Sequence, residues 1–152
     1  MSKSAPTTAK TFVALALGAI CLSTAAHARN DLLLLPLGDA LRTPDAYYRL
    51  NHGIRLYFGP QPFGAPVQHM GIYTANRKTN FHNKTDKEGC EWAFLSSALS
   101  LQSRAMQLGG NAVVNLVSVY KNIPFSSDSQ YQCSAGTVVG GVTLQGEVVT
   151  LR

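Results

Sequence analysis

One segment constrains the fold of this chain more than any other, "TDKEGCEWAFLSSALSLQSRAMQLGG" at positions 85–110. Thr85 and Glu88 have the spacing of a capping box, in which each side chain accepts a hydrogen bond from the other's backbone amide. Apolar residues then recur at steps of four and three, which gives a helix one apolar stripe. The stripe comprises Phe94, Ala98, Leu101, Ala105 and Leu108, widened by Leu95 and Met106. A glycine pair suited to a left-handed helix end follows. We therefore predict a helix over about residues 86–108, packed on a sheet.

Short β-forming segments surround this helix. Strands are predicted for residues 31–37, 53–59, 67–75, 111–121, 131–139 and 142–151. The region between the first two favours one or two short helical turns, one of them beginning at Pro44. The predicted class is α+β, a mostly antiparallel sheet with the long helix packed on one face.

Turn residues suggest how neighbouring strands pair. Residues 67–75 could form a hairpin with residues 53–59, and residues 131–139 are expected to return antiparallel to residues 111–121. Gly140 and Gly141 suggest a bulge or bend.

The first 28 residues have the pattern of a secretory signal peptide. Lys3 and Lys10 precede the apolar run "TFVALALGAICLST", and "AHA" places small residues before a cleavage point near Ala28. An uncleaved anchor is the alternative. Ile20 before Cys21 argues against a lipoprotein, whose acylated cysteine follows a small residue. We expect residues 29–152 to form a single periplasmic or secreted domain after cleavage.

The composition of the expected mature chain narrows its partners. Without Lys3 and Lys10, 11 basic residues remain against 8 acidic ones, a net charge of +3 without a long basic run. Nucleic acid is therefore not an expected partner.

Cys90 and Cys133 are the cysteines that survive processing, and an even number in an oxidising compartment favours a disulfide. Such a bond would close a loop of roughly 44 residues and stabilise the fold by roughly 4 kcal/mol.

The segment "NRKTNFHNKT", residues 76–85, has no apolar period and is predicted as a loop. Its polar and basic residues make it the best candidate for a recognition surface. The candidate residues are Asn76, Arg77, Lys78, Asn80, His82 and Lys84. Anionic lipid, lipopolysaccharide or an acidic protein would suit them. The alternative is a solvated loop whose asparagines satisfy their own turns.

Other polar residues give weaker signals, and we predict no catalytic, cofactor or metal site. His52, His69 and His82, even with Cys90 or Asp86, lack the close spacing of a zinc site. Asn111 and Asn115 could donate to an oxyanion, but asparagine also suits the turn after a helix. The polar side of the helix carries Ser96, Ser97, Ser100, Ser103, Arg104 and Gln107. Its serines lie outside the strained turn of hydrolases.

The run "SRAMQLGGNAVVNLVSVY", followed by "CSAGTVV", resembles the core of the YbjQ-like superfamily, small bacterial domains of largely unknown function. Those domains share a helix that ends in an "A..LGANAVV" turn, a strand, a loop and a final strand with a "G.A" or "GTA" step. The matching residues are Ala105, Leu108, Gly109, Asn111, Ala112, Val113, Val114, Gly136 and Thr137. Gly110 replaces the usual alanine. The match covers residues 90–139 and implies a fold more than a function.

The same core resembles the sensor domain of the outer-membrane lipoprotein that feeds the Rcs phosphorelay. That domain has "ANAV" after its helix, a cysteine-bearing hairpin and disulfides that tie its strands. The resemblance implies the fold and a pairing of Cys90 with Cys133. This chain lacks the acylated cysteine, the proline-rich linker and a second disulfide, so the signalling role is not carried over.

The mature chain also resembles secreted proteins that have been labelled excinuclease ATPase subunits. Nucleotide-binding subunits need a GxxxxGK[ST] loop to cradle phosphates. The GxxxxG here, "GPQPFG" at residues 59–64, lacks the lysine and is rich in proline. We therefore do not expect nucleotide hydrolysis.

Three functional hypotheses follow. The first is a non-enzymatic, envelope-associated binding or stress-sensing domain whose partner is an envelope protein or an anionic envelope component. The second is a self-assembling module, because YbjQ-like domains can form ring-shaped homo-oligomers, with the serine-lined helix face or a free sheet edge as the contact. The third is an enzyme with a site near His82 and Asp86.

Overall fold

The computed structural model describes residues 28–152, so the expected signal segment lies outside the described residues except for Ala28. The described chain forms a seven-stranded mixed sheet and three helices, which is the α+β class. The strands are β1 (Asn30–Pro36), β2 (Arg55–Phe58), β3 (Pro66–Asn80), β4 (Ala112–Tyr120), β5 (Ile123–Phe125), β6 (Gln130–Gly136) and β7 (Val139–Leu151). The helices are α1 (Leu37–Arg42), α2 (Pro44–Arg49) and α3 (Asp86–Leu108).

The long helix α3 has the predicted bounds and ends. The Glu88 amide donates to Thr85 Oγ1 at 3.2 Å, and the Thr85 amide donates to Glu88 Oε2 at 2.8 Å, which closes the capping box. At the other end Gly109 has a φ of 79°, in the left-handed region that favours glycine. Local sequence therefore determines where α3 begins and ends.

The buried face of α3 is wider than the predicted stripe. Phe94, Ala98, Leu101 and Ala105 are buried, whereas Met106 and Leu108 near the end of the helix are exposed. Ser97, expected on the polar side, is fully buried and donates to the Val142 carbonyl at 2.8 Å. The reason is that α3 packs on two strands, β3 and β7, so residues flanking the stripe also meet the sheet.

Strand β7 lies at the centre of the sheet and pairs antiparallel with β3, β4 and β6. Strand β1 pairs antiparallel with β6, while β2 pairs with β4 in parallel. The sheet is therefore mostly, but not purely, antiparallel.

Two predicted strand pairings are wrong. Strands β2 and β3 do not form a hairpin: β2 joins β4, where the Arg55 amide donates to the Asn111 carbonyl at 3.0 Å, and β3 joins β7. Strand β6 does not return along β4: it lies between β1 and β7, and the short strand β5 pairs with the end of β4 instead. Both errors concern contacts that the order of strands along the chain does not determine.

The predicted bend at Gly140 and Gly141 is also wrong, because both glycines stay in register with β3. The ring of Phe81, which lies next to Gly140, explains why this position is a glycine. A Cβ atom at Gly140 would lie 2.1 Å from the Phe81 ring, and one at Gly89 would lie 2.3 Å from the same ring. Gly89 on α3 and Gly140 on β7 therefore leave room for the buried ring of Phe81 between these two elements.

A disulfide joins Cys90 on α3 to Cys133 on β6, with an S–S distance of 2.01 Å. Both cysteines are buried in the main core, so the bond ties the helix to the sheet. This predicted pairing is confirmed and is consistent with an oxidising environment. Within residues 28–152, none of the helices has the length and apolar character needed to cross a membrane.

Candidate functional site

Most of the predicted recognition residues lie on a strand instead of a loop. Strand β3 continues to Asn80, and residues 76–80 pair with residues 143–139 of β7. The loop prediction is therefore wrong for Asn76, Arg77, Lys78 and Asn80. The loop prediction failed because this part of β3 pairs with one neighbouring strand and exposes most of its side chains. Its sequence therefore lacks the alternation of apolar and polar residues that indicates a half-buried strand.

Strand geometry directs neighbouring side chains of β3 to opposite faces of the sheet. Arg77 points towards α3, where its Nη2 donates to Ser100 Oγ at 2.8 Å. Asn76 and Lys78 point to the face of the sheet that α3 does not cover. The predicted recognition segment is therefore divided between two sites.

The first site is a cleft of about 440 Å³ between α3 and β3, which we call the arginine cleft. Its lining residues are Tyr73, Thr74, Arg77, Ser100, Leu101, Ser103, Arg104 and Gln107. The Arg104 guanidinium lies 5.1 Å from the centre of the Tyr73 ring, a cation–π distance. The Tyr73 hydroxyl donates to the Met70 carbonyl at 3.1 Å, which holds the ring in place.

The described residues do not neutralise the positive charge in the arginine cleft. None of those that line the cleft carries a carboxylate. Neither Arg77 nor Arg104 forms an ion pair with any residue in the described range. The cleft is therefore suited to an anionic ligand, because two guanidinium groups offer fixed donors to oxyanions.

The second site is a depression of about 170 Å³ on the uncovered face of the sheet, which we call the lysine depression. It is lined by Leu32, Asn76, Lys78, Val119, Tyr120, Lys121, Gln132, Ser134, Gly141 and Thr143. Lys121 Nζ lies 5.2 Å from the centre of the Tyr120 ring. Gln132 Oε1 is inaccessible to solvent and has no hydrogen-bond partner among the described residues. Of the described residues that line this depression, Lys78 and Lys121 are cationic and none carries a carboxylate.

The remaining recognition residues lie in the loop between β3 and α3. The His82 amide donates to Asn80 Oδ1 at 2.7 Å, and Lys84 Nζ donates to the Asn80 carbonyl at 3.1 Å. Asn83 has a φ of 58°, a left-handed conformation that asparagine tolerates better than most residues. Asn80 therefore holds the loop together through its own hydrogen bonds, as expected for a solvated loop whose asparagines satisfy their own turns. The charged amine of Lys84 remains exposed.

The histidines do not come together. His52 Nε2 lies 3.0 Å from the Tyr47 carbonyl, and His69 Nδ1 lies 2.7 Å from Glu147 Oε1. His82 is exposed, and Asp86 is occupied by an ion pair with Arg29. Across residues 28–152, no three histidine, cysteine or acidic side chains are grouped closely enough to hold a metal ion.

The two asparagines near the end of α3 have structural roles. Asn111 donates to the Leu151 carbonyl at 2.8 Å and accepts from the Leu151 amide at 2.7 Å, so its side chain holds the end of β7. Asn115 has a φ of 52° and lies where the register between β4 and β7 shifts.

Carboxylates gather instead near the start of α3. The ion pair and hydrogen bond from Lys87 hold the pKa of Asp39 below its usual range, and Asp39 raises the pKa of Lys87. Hydrogen bonds from Thr85 lower the pKa of Glu88. These acids are held by partners within the fold.

Sequence reasoning missed Arg104 and Tyr73 as members of a site. A usable signal was present, because Ser100 and Arg104 are four residues apart on one helix face, and Tyr73 and Arg77 alternate onto one strand face.

The chain was also compared with protein families, with curated proteins and with solved structures, and no match was found.

Proposed function

We propose that this protein is a non-enzymatic, secreted envelope-associated domain that binds an anionic component of the cell envelope through β3 and its surroundings. The observation that carries the proposal is a group of cations without acidic partners in the described structure. Arg77, Lys78, Lys84 and Arg104 form no ion pair there. Their charges are free to interact with a ligand or a surface.

The distribution of charge supports this proposal. Three of these cations come from β3 or the loop that follows it, and Arg104 lies beside β3 on α3. The acidic residues Asp39, Asp86 and Glu91 are engaged in ion pairs near the start of α3. An anionic surface would therefore be attracted to β3, with each nearby Lys or Arg contributing about 1 kcal/mol.

Two further features favour an envelope setting. The resemblance of residues 90–139 to YbjQ-like domains and to the Rcs sensor domain connects the chain to small bacterial and envelope proteins. The Cys90–Cys133 disulfide suits an oxidising compartment such as the periplasm.

Vesicle binding tests the proposal directly. The Arg77→Glu/Lys78→Glu variant should bind phosphatidylglycerol vesicles at least about tenfold more weakly than the wild type in a sedimentation assay, because two attractions become repulsions. The Arg55→Glu/Arg152→Glu variant makes the same change in net charge and should retain most of the binding. Equal losses in both variants, or no preference of the wild type for anionic over phosphatidylcholine vesicles, would refute the proposal.

Self-assembly is a second candidate, favoured by the exposed apolar side chains of β1. Leu32 and Leu34 are 41% and 49% exposed on a strand whose only pairing in the described structure is with β6. A second copy could cover them and form a homo-oligomer. Light scattering coupled to size-exclusion chromatography would show a multiple of the monomer mass, and a monomer at all concentrations would exclude this candidate.

A further inference from the structure

We propose that the arginine cleft is a specific binding site for a phosphate monoester group. This inference rests on the proposed function and names the chemistry that the anionic ligand would present. It separates the arginine cleft from Lys78 and Lys84, whose exposed amines would attract any negative surface.

The two arginines of the cleft are held in place while most of their donors stay free. Arg77 uses Nη2 to contact Ser100, and its other guanidinium donors have no acceptor among the described residues. The Arg104 side chain forms no hydrogen bond with the described residues, and its guanidinium lies over the Tyr73 ring. Two elements thus present ordered guanidinium groups to one cleft, which reduces the entropy lost when an anion binds.

Neutral donors complete the cleft. Ser103 and Arg104 lie three and four residues after Ser100, and Gln107 lies four and three residues after them, so all of them share one face of α3. Ser100 Oγ accepts from Arg77, which leaves its own proton available to a ligand. Ser103 and Gln107 are exposed and form no side-chain hydrogen bond within the described range. Hydroxyl and amide donors of this kind suit the several acceptor oxygens of a phosphoryl group.

Charge distinguishes a phosphate monoester from a carboxylate here. A monoester carries about −1.5 to −2 at pH 7, close to the charge of two guanidinium groups. A carboxylate carries one charge, which a single arginine can match in a bidentate contact. The cleft places two arginines without a carboxylate in about 440 Å³. The total charge of the two arginines that line the cleft is therefore matched more closely by a dianion than by a monoanion.

Titration of the disulfide-bonded mature protein with glycerol 3-phosphate, followed by calorimetry, tests this inference. We expect saturable binding that strengthens between pH 5 and pH 7.5, as the second proton of the ester leaves near pH 6. Arg77→Gln and Arg104→Gln should each weaken binding at least about tenfold, the loss of one charge-assisted contact. The matched control Lys78→Gln lies one residue along β3 and points to the other face, so it should change affinity less than about twofold.

Either of two results would overturn the inference. One is the absence of saturable binding by a wild type whose thermal unfolding shows it to be folded. The other is a loss in Lys78→Gln as large as that in Arg77→Gln, which would indicate diffuse charge attraction.

Vesicles distinguish the source of the phosphate and separate this inference from the proposed function. Preference for phosphatidic acid over phosphatidylglycerol vesicles at equal surface charge, lost in Arg104→Gln, would support a lipid headgroup as the ligand. Glycerol 3-phosphate binding without any vesicle binding would support a soluble ester and would remove the proposed membrane association. Vesicle binding that persists in Arg104→Gln, with no binding of glycerol 3-phosphate, would overturn the cleft while the proposed function stands.

Discussion

The two ends of α3 differ in how the protein treats charge. Near its start, Asp86 pairs with Arg29, and Lys87 pairs with both Asp39 and Glu91. Near its end, Arg104 shares the arginine cleft with Arg77, and none of the described residues that line this cleft carries a carboxylate. The ion pairs at the first end lie within the fold, whereas the two arginines at the second end have no acidic partner in the part of the chain that the structure describes.

This difference separates residues that stabilise the protein from residues that are available to a ligand. The start of α3 also contains the capping box and the disulfide at Cys90, so several interactions fix it to the rest of the chain. The two arginines of the cleft form no ion pair within the described residues, so they contribute no ion-pair stability to the fold. We therefore expect substitutions at the two ends to change different measurements.

The largest expected effect at the start of α3 comes from the disulfide. Replacement of Cys90 and Cys133 together by alanine should lower the free energy of unfolding by about 4 kcal/mol, because the unfolded chain regains the freedom of a long loop. Guanidinium chloride unfolding, with the wild type in reductant as a second comparison, measures this loss. A loss below about 1 kcal/mol would show that the bond contributes little to this end of the helix.

The helix cap should have a smaller effect. Thr85→Ala removes the side-chain acceptor for the Glu88 amide and should destabilise the protein by about 1 kcal/mol. The same unfolding experiment measures the change, and Ser103→Ala on the exposed part of α3 is the matched control. If both substitutions had the same effect, the capping box would not be a stabilising feature.

The smallest expected effect is a dependence of stability on pH. Asp39 and Glu88 have lowered pKa values in the folded protein, so their contributions are present above the unfolded pKa of about 4 and are lost as the pH falls through the folded values. Unfolding midpoints measured from pH 6 to pH 2 should therefore decrease. The Asp39→Asn/Glu88→Gln variant should show a shallower decrease, and an unchanged slope would contradict this assignment.

The parts of the fold that were predictable from sequence depend on local interactions. The bounds of α3 follow from Thr85, Glu88 and Gly109, which act within one turn of each helix end. The disulfide followed from two cysteines in an expected oxidising compartment. The parallel pairing of β2 with β4 was not predictable in this way, because it joins segments separated by β3 and α3.

The candidate site was predictable only in part. The polar and basic composition of residues 76–85 identifies Arg77 and Lys78 as candidates but predicts a loop. Both residues lie on a strand, where adjacent side chains point to opposite faces, so the composition does not show that they belong to different sites. Arg104 comes from α3 and shares a cleft with Arg77 because α3 packs beside β3. A site assembled from two elements depends on their packing, which the pattern of either segment alone does not specify.

One paired measurement tests the central claim most directly, namely that the two arginines of the arginine cleft bind a ligand while the cations paired at the start of α3 stabilise the fold. Arg77→Gln/Arg104→Gln and Arg29→Gln/Lys87→Gln remove the same net charge from opposite ends of α3. For each variant, binding to phosphatidic acid vesicles, whose headgroup is a phosphate monoester, and the free energy of unfolding are measured under the same conditions. We predict that the first variant loses binding and keeps its stability, and that the second loses stability and keeps its binding. Equal loss of binding in both variants would contradict this account.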